Sequence, residues 1–233
     1  MEKLNYTLDV DYKAVLGTWF EPLSEFLKGS YMHNMMIFLH EAYKIKDILP
    51  EKEKVFKVFH EVSFSDVRVI VIGDEPYHDY SNTGIAYGQS MDHLVPNNEI
   101  IEIETAIEKT CYDNFNLHID STLSNWVEQG VLPIHASLTV ENGIKGSHKL
   151  HWRSFIRNLI QVINEHKPGT IFMLWGEDAK YYRQFINADN NYILESESVH
   201  EQVAKGYNWE SSNFAECNKI LEKNNGREFV IEW

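Results

Sequence analysis

Cysteine is nearly missing from this chain. Only Cys111 and Cys217 occur, too few for a disulfide framework, and a reducing compartment is expected. Bases are also scarce: 21 Lys and Arg stand against 35 Asp and Glu, for a net charge of −14. That balance disfavours a polyanionic partner unless the bases are clustered. No apolar run reaches the roughly 18 residues of a membrane span, and the first residues carry no apolar signal block. The protein is therefore expected to be intracellular, with no membrane partner. There is no internal repeat, low-complexity tract or linker, so residues 1–233 are expected to form one domain.

What is present is ordinary in bulk and specific in pattern. Hydrophobic residues make up 43% and charged residues 24%, as in a globular protein with a substantial core. Aromatics are plentiful, with 12 Tyr, 12 Phe and 6 Trp. Residues 1–60 read as a helical part packed on the rest: Trp19, Leu23, Phe26 and Leu27 recur at helical spacing, as do Met32, Met35, Met36, Leu39 and Tyr43. The methionines read as core filling.

The central stretch is Val67-Arg68-Val69-Ile70-Val71-Ile72-Gly73-Asp74-Glu75-Pro76-Tyr77-His78. An unbroken β-branched run suits a strand buried on both faces of a parallel sheet. Two carboxylates, a phenol and an imidazole follow Gly73, at the strand edge where open α/β sheets place ligands. On its own the stretch reads equally as a polar loop after a core strand. Further strands are predicted at 131–134, 170–175 and 192–195, ending at His135, at Gly176-Glu177 and, further on, at His200. Pro133 marks a frayed strand start or a sheet edge. Helices are predicted at about 99–111, capped by Asn97 or Asn98, and at 121–129, 152–165 and 212–222. Residues 79–97 read as a long loop. Alternating strands and helices predict an α/β protein with a parallel sheet between helical layers. A lone histidine at a strand end is more often a satisfied structural group, but four polar sites on one sheet edge converge in space.

Gly73-Asp74-Glu75-Pro76-Tyr77-His78 resembles the water-activating loop of the uracil-DNA glycosylases, usually Gly-Gln-Asp-Pro-Tyr-His. The stretch from Trp126 to Val140, then Gly146-Ser147-His148-Lys149, Trp152, Leu174-Trp175-Gly176 and the late His200 fall in the family's order. The resemblance covers about residues 64–233. It implies a three-layer α/β/α sandwich around a four-stranded parallel sheet, and a monomer needing neither metal nor cofactor. It further implies that Glu75 stands for the family's Asp and that His200 faces the base oxygen. Tyr77 then crowds the pyrimidine C5, and Tyr87 replaces the stacking Phe.

The departures fall on the site. Asp74 replaces Gln beside Glu75, giving a catalytic set of Glu75, Asp74 and His200 in which the adjacent acids are able to share a proton. His135 replaces the base-reading Asn and cannot copy its paired donor and acceptor. It joins Tyr77 and Tyr87 as the base-binding set. Glu177, beside Gly176, replaces a phosphate-contacting Ser, and Gln202 falls in the altered loop after His200, so these three mark the DNA-backbone region. Weak non-specific duplex binding is expected, with an acidic face open to a protein partner instead. The preferred function is a divergent glycosylase acting on uracil or another pyrimidine in DNA. An unprotonated His135 nitrogen is able to accept from an exocyclic amine and so admits a cytosine-derived base. The alternative is a catalytically silent member serving as a binding or accessory subunit. A hydrolase of free nucleosides ranks last, because no phosphate cradle is apparent.

Overall fold

The computed structural model describes residues 11–92, 95–112 and 119–233. The first ten residues of the expected N-terminal helical part, and two of the loop 79–97, lie outside these. In chain order the helices are α1 (Tyr12–Leu16), α2 (Phe20–Leu27), α3 (Ser30–Ile45), α4 (Lys57–Glu61), α5 (Asn98–Cys111), α6 (Ser124–Glu128), α7 (Lys149–His166), α8 (Glu177–Lys180), α9 (Val199–Ala204) and α10 (Asn213–Asn225). The strands are β1 (Ile48–Leu49), β2 (Val69–Gly73), β3 (Val131–His135), β4 (Val140–Glu141), β5 (Ile171–Trp175) and β6 (Tyr192–Ser196).

Four strands form one parallel sheet in the order β3-β2-β5-β6. Every residue of β2, β3 and β5 is buried. This explains why these runs carry no polar alternation: helices cover both faces, and α/β/α layering leaves no wet side. Pro133 is tolerated because β3 is an outer strand of the sheet. The long α7 buries Trp152, Phe155, Ile156, Leu159, Ile160 and Ile163, a stripe at helical spacing, and packs against α2 and α3. A second helical group joins α5 with α9 and α10. Asn97 caps α5, its Oδ1 accepting from the Ile100 amide at 2.9 Å.

Three features differ from the sequence reading. The helix expected from 121 begins only at Ser124, because Leu123 takes a left-handed φ of 59° and Asp120 accepts from the Thr122 amide in the preceding turn. The short strands β1 and β4 form an antiparallel pair, Ile48 opposite Glu141 and Leu49 opposite Val140, too short to leave a period-2 signal. His200 lies on α9 rather than at a bare strand end. The β1–β4 pair ties the N-terminal helices to the site loops: Asp47 accepts from the Tyr80 hydroxyl at 2.6 Å and from Asn142 at 2.7 Å.

Candidate active site

The sheet register assembles the site. Gly73 pairs with both His135 and Trp175, and Trp175 with Ser196, so the segments opening at Asp74, Ala136, Gly176 and Glu197 leave one edge side by side. Gly73 is glycine for a local reason. A Cβ there would lie 2.5 Å from Tyr87 Oη and 2.7 Å from His135 Nδ1.

Tyr87 is fully buried and takes a φ of 64°, a left-handed conformation that costs a non-glycine residue roughly 1–3 kcal/mol. Packing holds it there. Its ring centroid lies 5.3 Å from Trp175, 5.0 Å from His135 and 5.3 Å from His200. Tyr77 meets His200 edge to face at 4.9 Å, and its hydroxyl accepts from Asn97 Nδ2 at 2.7 Å. Asn97 thus caps α5 and fixes Tyr77 with one side chain. Burial, then the nearby Glu99 charge, raises the Tyr77 phenol far above its ordinary range.

Glu75, Tyr77, Asn97, Glu99, Lys145 and His200 line a pocket of about 530 Å³. Glu75 is mostly buried, with Lys145 Nζ 3.5 Å away. His200 Nδ1 lies 3.1 Å from Glu99 Oε1, and these two side chains are only 18% and 16% exposed. Three atoms at this edge are buried without a partner among the described residues: Tyr87 Oη, His135 Nδ1 and His200 Nε2. Burial, then the neighbouring His200, pushes His135 strongly toward its neutral form. Among the described residues no group of three His, Cys, Asp or Glu is arranged to hold a metal ion.

The sequence-predicted residues divide. Glu75, Tyr77 and His200 line the pocket, while Tyr87 and His135 lie behind it. Asp74 does not share a proton with Glu75, as the sequence suggested. Its Oδ1 instead accepts from the amides of Asp178 at 2.9 Å and Ala179 at 3.3 Å, at the start of α8. Burial raises its carboxyl above the usual range, with Asp178, not Glu75, as the repelling charge. Gly176, at a φ of 96°, gives this carboxylate room that a Cβ would fill. Glu177 is exposed and pairs with Lys180 at 3.1 Å, which also reaches Glu197 at 2.9 Å. Gln202 sits on α9, half-buried. Glu99 and Lys145 were not predicted from the sequence. Glu99 reads there as an ordinary first-turn acid of α5, and Lys145 as one cation in a turn before Gly146-Ser147-His148.

Comparison with known proteins bears on the whole arrangement. The family model described as the uracil DNA glycosylase superfamily matches residues 59–223. The chain belongs to the uracil-DNA glycosylase superfamily. A uracil-DNA glycosylase of Alkaliphilus oremlandii is 31% identical over 210 residues, spanning 88% of this chain and 90% of that protein. One from Mycoplasmopsis pulmonis is 35% identical over 201 residues, spanning 84% and 87%. In fold, a crystal structure of mimivirus uracil-DNA glycosylase superposes with a TM-score of 0.83 at 20% identity, covering 95% of this chain and 89% of that one. Within this fold, the acid at 74 braces a helix start and the imidazole at 135 is buried behind the pocket.

Proposed function

We propose that the protein is a uracil-DNA glycosylase that binds a nucleotide flipped out of DNA and hydrolyses the bond between its base and deoxyribose. The observation that carries this is the joint presence of the Glu75 carboxylate and the His200 imidazole on one pocket of a superfamily member. In the reaction the C1′–N1 bond breaks with its electron pair leaving on the base. The sugar becomes cationic and the base anionic. Glu75 stabilises the cation, orients a water and takes its proton as the oxygen bonds to C1′. His200 offsets charge growing on the base oxygen. Tyr77 limits the room at C5, and Tyr87 and His135 complete the base slot. The DNA backbone passes the Gly176, Glu177 and Gln202 side of the pocket and is held weakly.

One observation favours a second reading, a catalytically silent binding subunit. Tyr87 is fully buried and His135 is 6% exposed, and the His200 ring stands 5.3 Å from Tyr87. A base sandwiched between two rings needs about 7 Å, twice an aromatic contact distance. Seating a base on Tyr87 therefore requires His200 to shift. The deciding experiment incubates the protein with duplex and single-stranded oligonucleotides carrying uracil, cytosine, 5-hydroxymethylcytosine or 5-hydroxymethyluracil and measures abasic sites. Abasic sites at uracil, abolished in Glu75→Gln while the folded protein persists, are expected. No abasic site on any substrate, from folded protein, refutes the enzyme and leaves the binding subunit.

A further inference from the structure

We propose that Lys145 grips a phosphate of the flipped nucleotide, and that this phosphate draws the Lys145 ammonium off Glu75 as the nucleotide enters. This rests on the glycosylase reading for the nucleotide, and on the pocket's geometry for the contact. Among the described residues that line the pocket, Lys145 is the only Lys or Arg, against three carboxylates, Glu75, Asp79 and Glu99. A charged phosphate lies on either side of any nucleotide within a strand. A nucleotide whose sugar reaches Glu75 therefore brings phosphate toward carboxylates that repel it. Lys145 is the cation placed to oppose them. Gly176, Glu177 and Gln202, on the flank of the site, do not line the pocket itself.

Lys145 is anchored at its backbone and exposed at its tip. It lies in the turn between β4 and α7, where Gly143 and Gly146 take φ of 72° and 68°. The Gly143 amide donates to the His78 carbonyl at 2.8 Å and the Ile144 amide to the Glu141 carbonyl at 2.9 Å. Asn142 Nδ2 donates to Asp47 at 2.7 Å. These bonds fix the turn against the loop that carries Glu75. Gly146 meets the same carboxylate: a Cβ there would lie 3.8 Å from Glu75 Oε2. The Lys145 side chain is 59% exposed and Glu75 only 14%, with 3.5 Å between Nζ and Oε1. That separation exceeds the roughly 2.7–2.9 Å of a charge-assisted hydrogen bond, and a pair so open to water holds weakly. An ammonium on a flexible four-carbon stem is able to pivot from carboxylate to phosphate while its backbone stays in place. The cations on the flank are less available. Lys180 is 22% exposed and is shared by Glu177 at 3.1 Å and Glu197 at 2.9 Å, and Lys149 is bound to Asp178. Moving Lys145 also serves the chemistry, because an ammonium left on Glu75 would oppose the sugar cation that forms beside it.

Binding to a non-cleavable substrate reads the contact. The probe is a DNA duplex whose single deoxyuridine carries a 2′-fluorine in the arabino configuration, which destabilises the sugar cation and leaves the base attached. Affinity is followed by fluorescence anisotropy from about 50 to about 200 mM salt. The slope of log affinity against log salt should be shallower by about 0.9 in Lys145→Ala than in wild type, a difference of about 3.5-fold across that range. The same measurement is repeated with each flanking phosphate in turn replaced by a neutral methylphosphonate. At one of the two linkages the replacement should weaken wild type about tenfold more than it weakens Lys145→Ala, as for one lost charged contact. Lys145→Arg, which keeps the charge, should follow wild type in both measurements. Lys145 is exposed and its removal leaves the backbone bonds of the turn in place, so the variants should fold. A Lys145 that only offsets Glu75 would give equal methylphosphonate losses in wild type and Lys145→Ala at both linkages, and that result overturns the proposal. So does a wild type that fails to bind the probe at about 50 mM salt. Incubation with an ordinary uracil duplex separates the two claims. Coupling between Lys145 and one phosphate without abasic sites keeps the contact and ends the glycosylase reading, and abasic sites without coupling do the reverse.

Discussion

Replacing Asp74 separates a chemical role from a structural one. Its carboxylate is 7% exposed and receives the Asp178 and Ala179 amides as well as a side-chain hydrogen bond from Ser198. The two amides open α8 directly after β5. Ser198 follows β6 and caps α9, the helix that carries His200, by accepting from the Glu201 amide. Asp74 therefore clamps three strand ends. Asp74→Ala strips the acceptor from two helix-start amides and should cost about 2–3 kcal/mol, combining a lost cap with an unsatisfied buried donor. For a chain of this length that is a fall of about 5–10 °C in Tm. Asp74→Asn keeps an acceptor oxygen and removes a buried charge, so it should stay within about 1 kcal/mol of wild type. Because burial raises the Asp74 carboxyl in the folded state, the folded protein binds that proton more tightly than the unfolded chain does. The resulting stability is fully present below the unfolded value of about 3.9 and is lost as pH rises through the raised folded value. Wild type should therefore gain on Asp74→Asn as pH falls. Thermal unfolding followed by circular dichroism, at about pH 7 and about pH 4, reads all of these effects. An Asp74→Ala protein that melts with wild type, or an Asp74→Asn protein with unchanged Tm and no excision, would refute the clamp and return Asp74 to the chemistry.

Two other substitutions test the site from either side. Tyr87→Phe removes an unpaired buried hydroxyl and should raise stability by up to about 1 kcal/mol in urea unfolding; a loss of that size would mean the hydroxyl has a bonded partner in solution. Glu177→Ser removes an exposed acid whose counter-charge Lys180 is shared with Glu197, and should tighten duplex binding most at low salt, as read by fluorescence anisotropy. Tight wild-type binding with a steep salt dependence would show instead that bases elsewhere dominate the DNA face.

The fold was legible because its signals are local. Val69 to Ile72 and Ile171 to Trp175 are continuous apolar runs, and only two-sided burial accounts for such runs. The α7 stripe and the Asn97 cap are equally local. The register then follows from the parallel topology, which brings Gly73, His135 and Trp175 abreast without any need to read a contact. The candidate pocket was legible in part, because the carboxylate at 75 and the imidazole at 200 both line it. It was illegible where a partner is remote. Nothing near Glu99 in sequence marks it as the partner of His200, and nothing near Asp74 distinguishes a carboxylate that braces α8 from one that joins Glu75. Asp74 meets the α8 amides while Glu75 lines the pocket beside Lys145, so proximity in sequence misled at that position.

The unpaired atoms bear on whether the site still serves a ligand. Among the described residues Tyr87 Oη, His135 Nδ1 and His200 Nε2 each lack a partner while buried, a state that costs roughly 1–3 kcal/mol per group. Apolar residues of similar shape would remove that cost. A fold released from base recognition gains stability by such replacements. The cost is instead concentrated in three side chains whose rings lie 5.0 to 5.8 Å apart, at and behind the pocket that holds Glu75. A pyrimidine edge, with its alternating carbonyl and N–H groups, is a ligand able to satisfy donors and acceptors placed this way. His135 supplies a buried imidazole pushed toward its neutral form, and His200 a second imidazole held at Nδ1 by Glu99. Polar atoms kept at this cost favour an edge that still meets a polar ligand over a scaffold that has lost one.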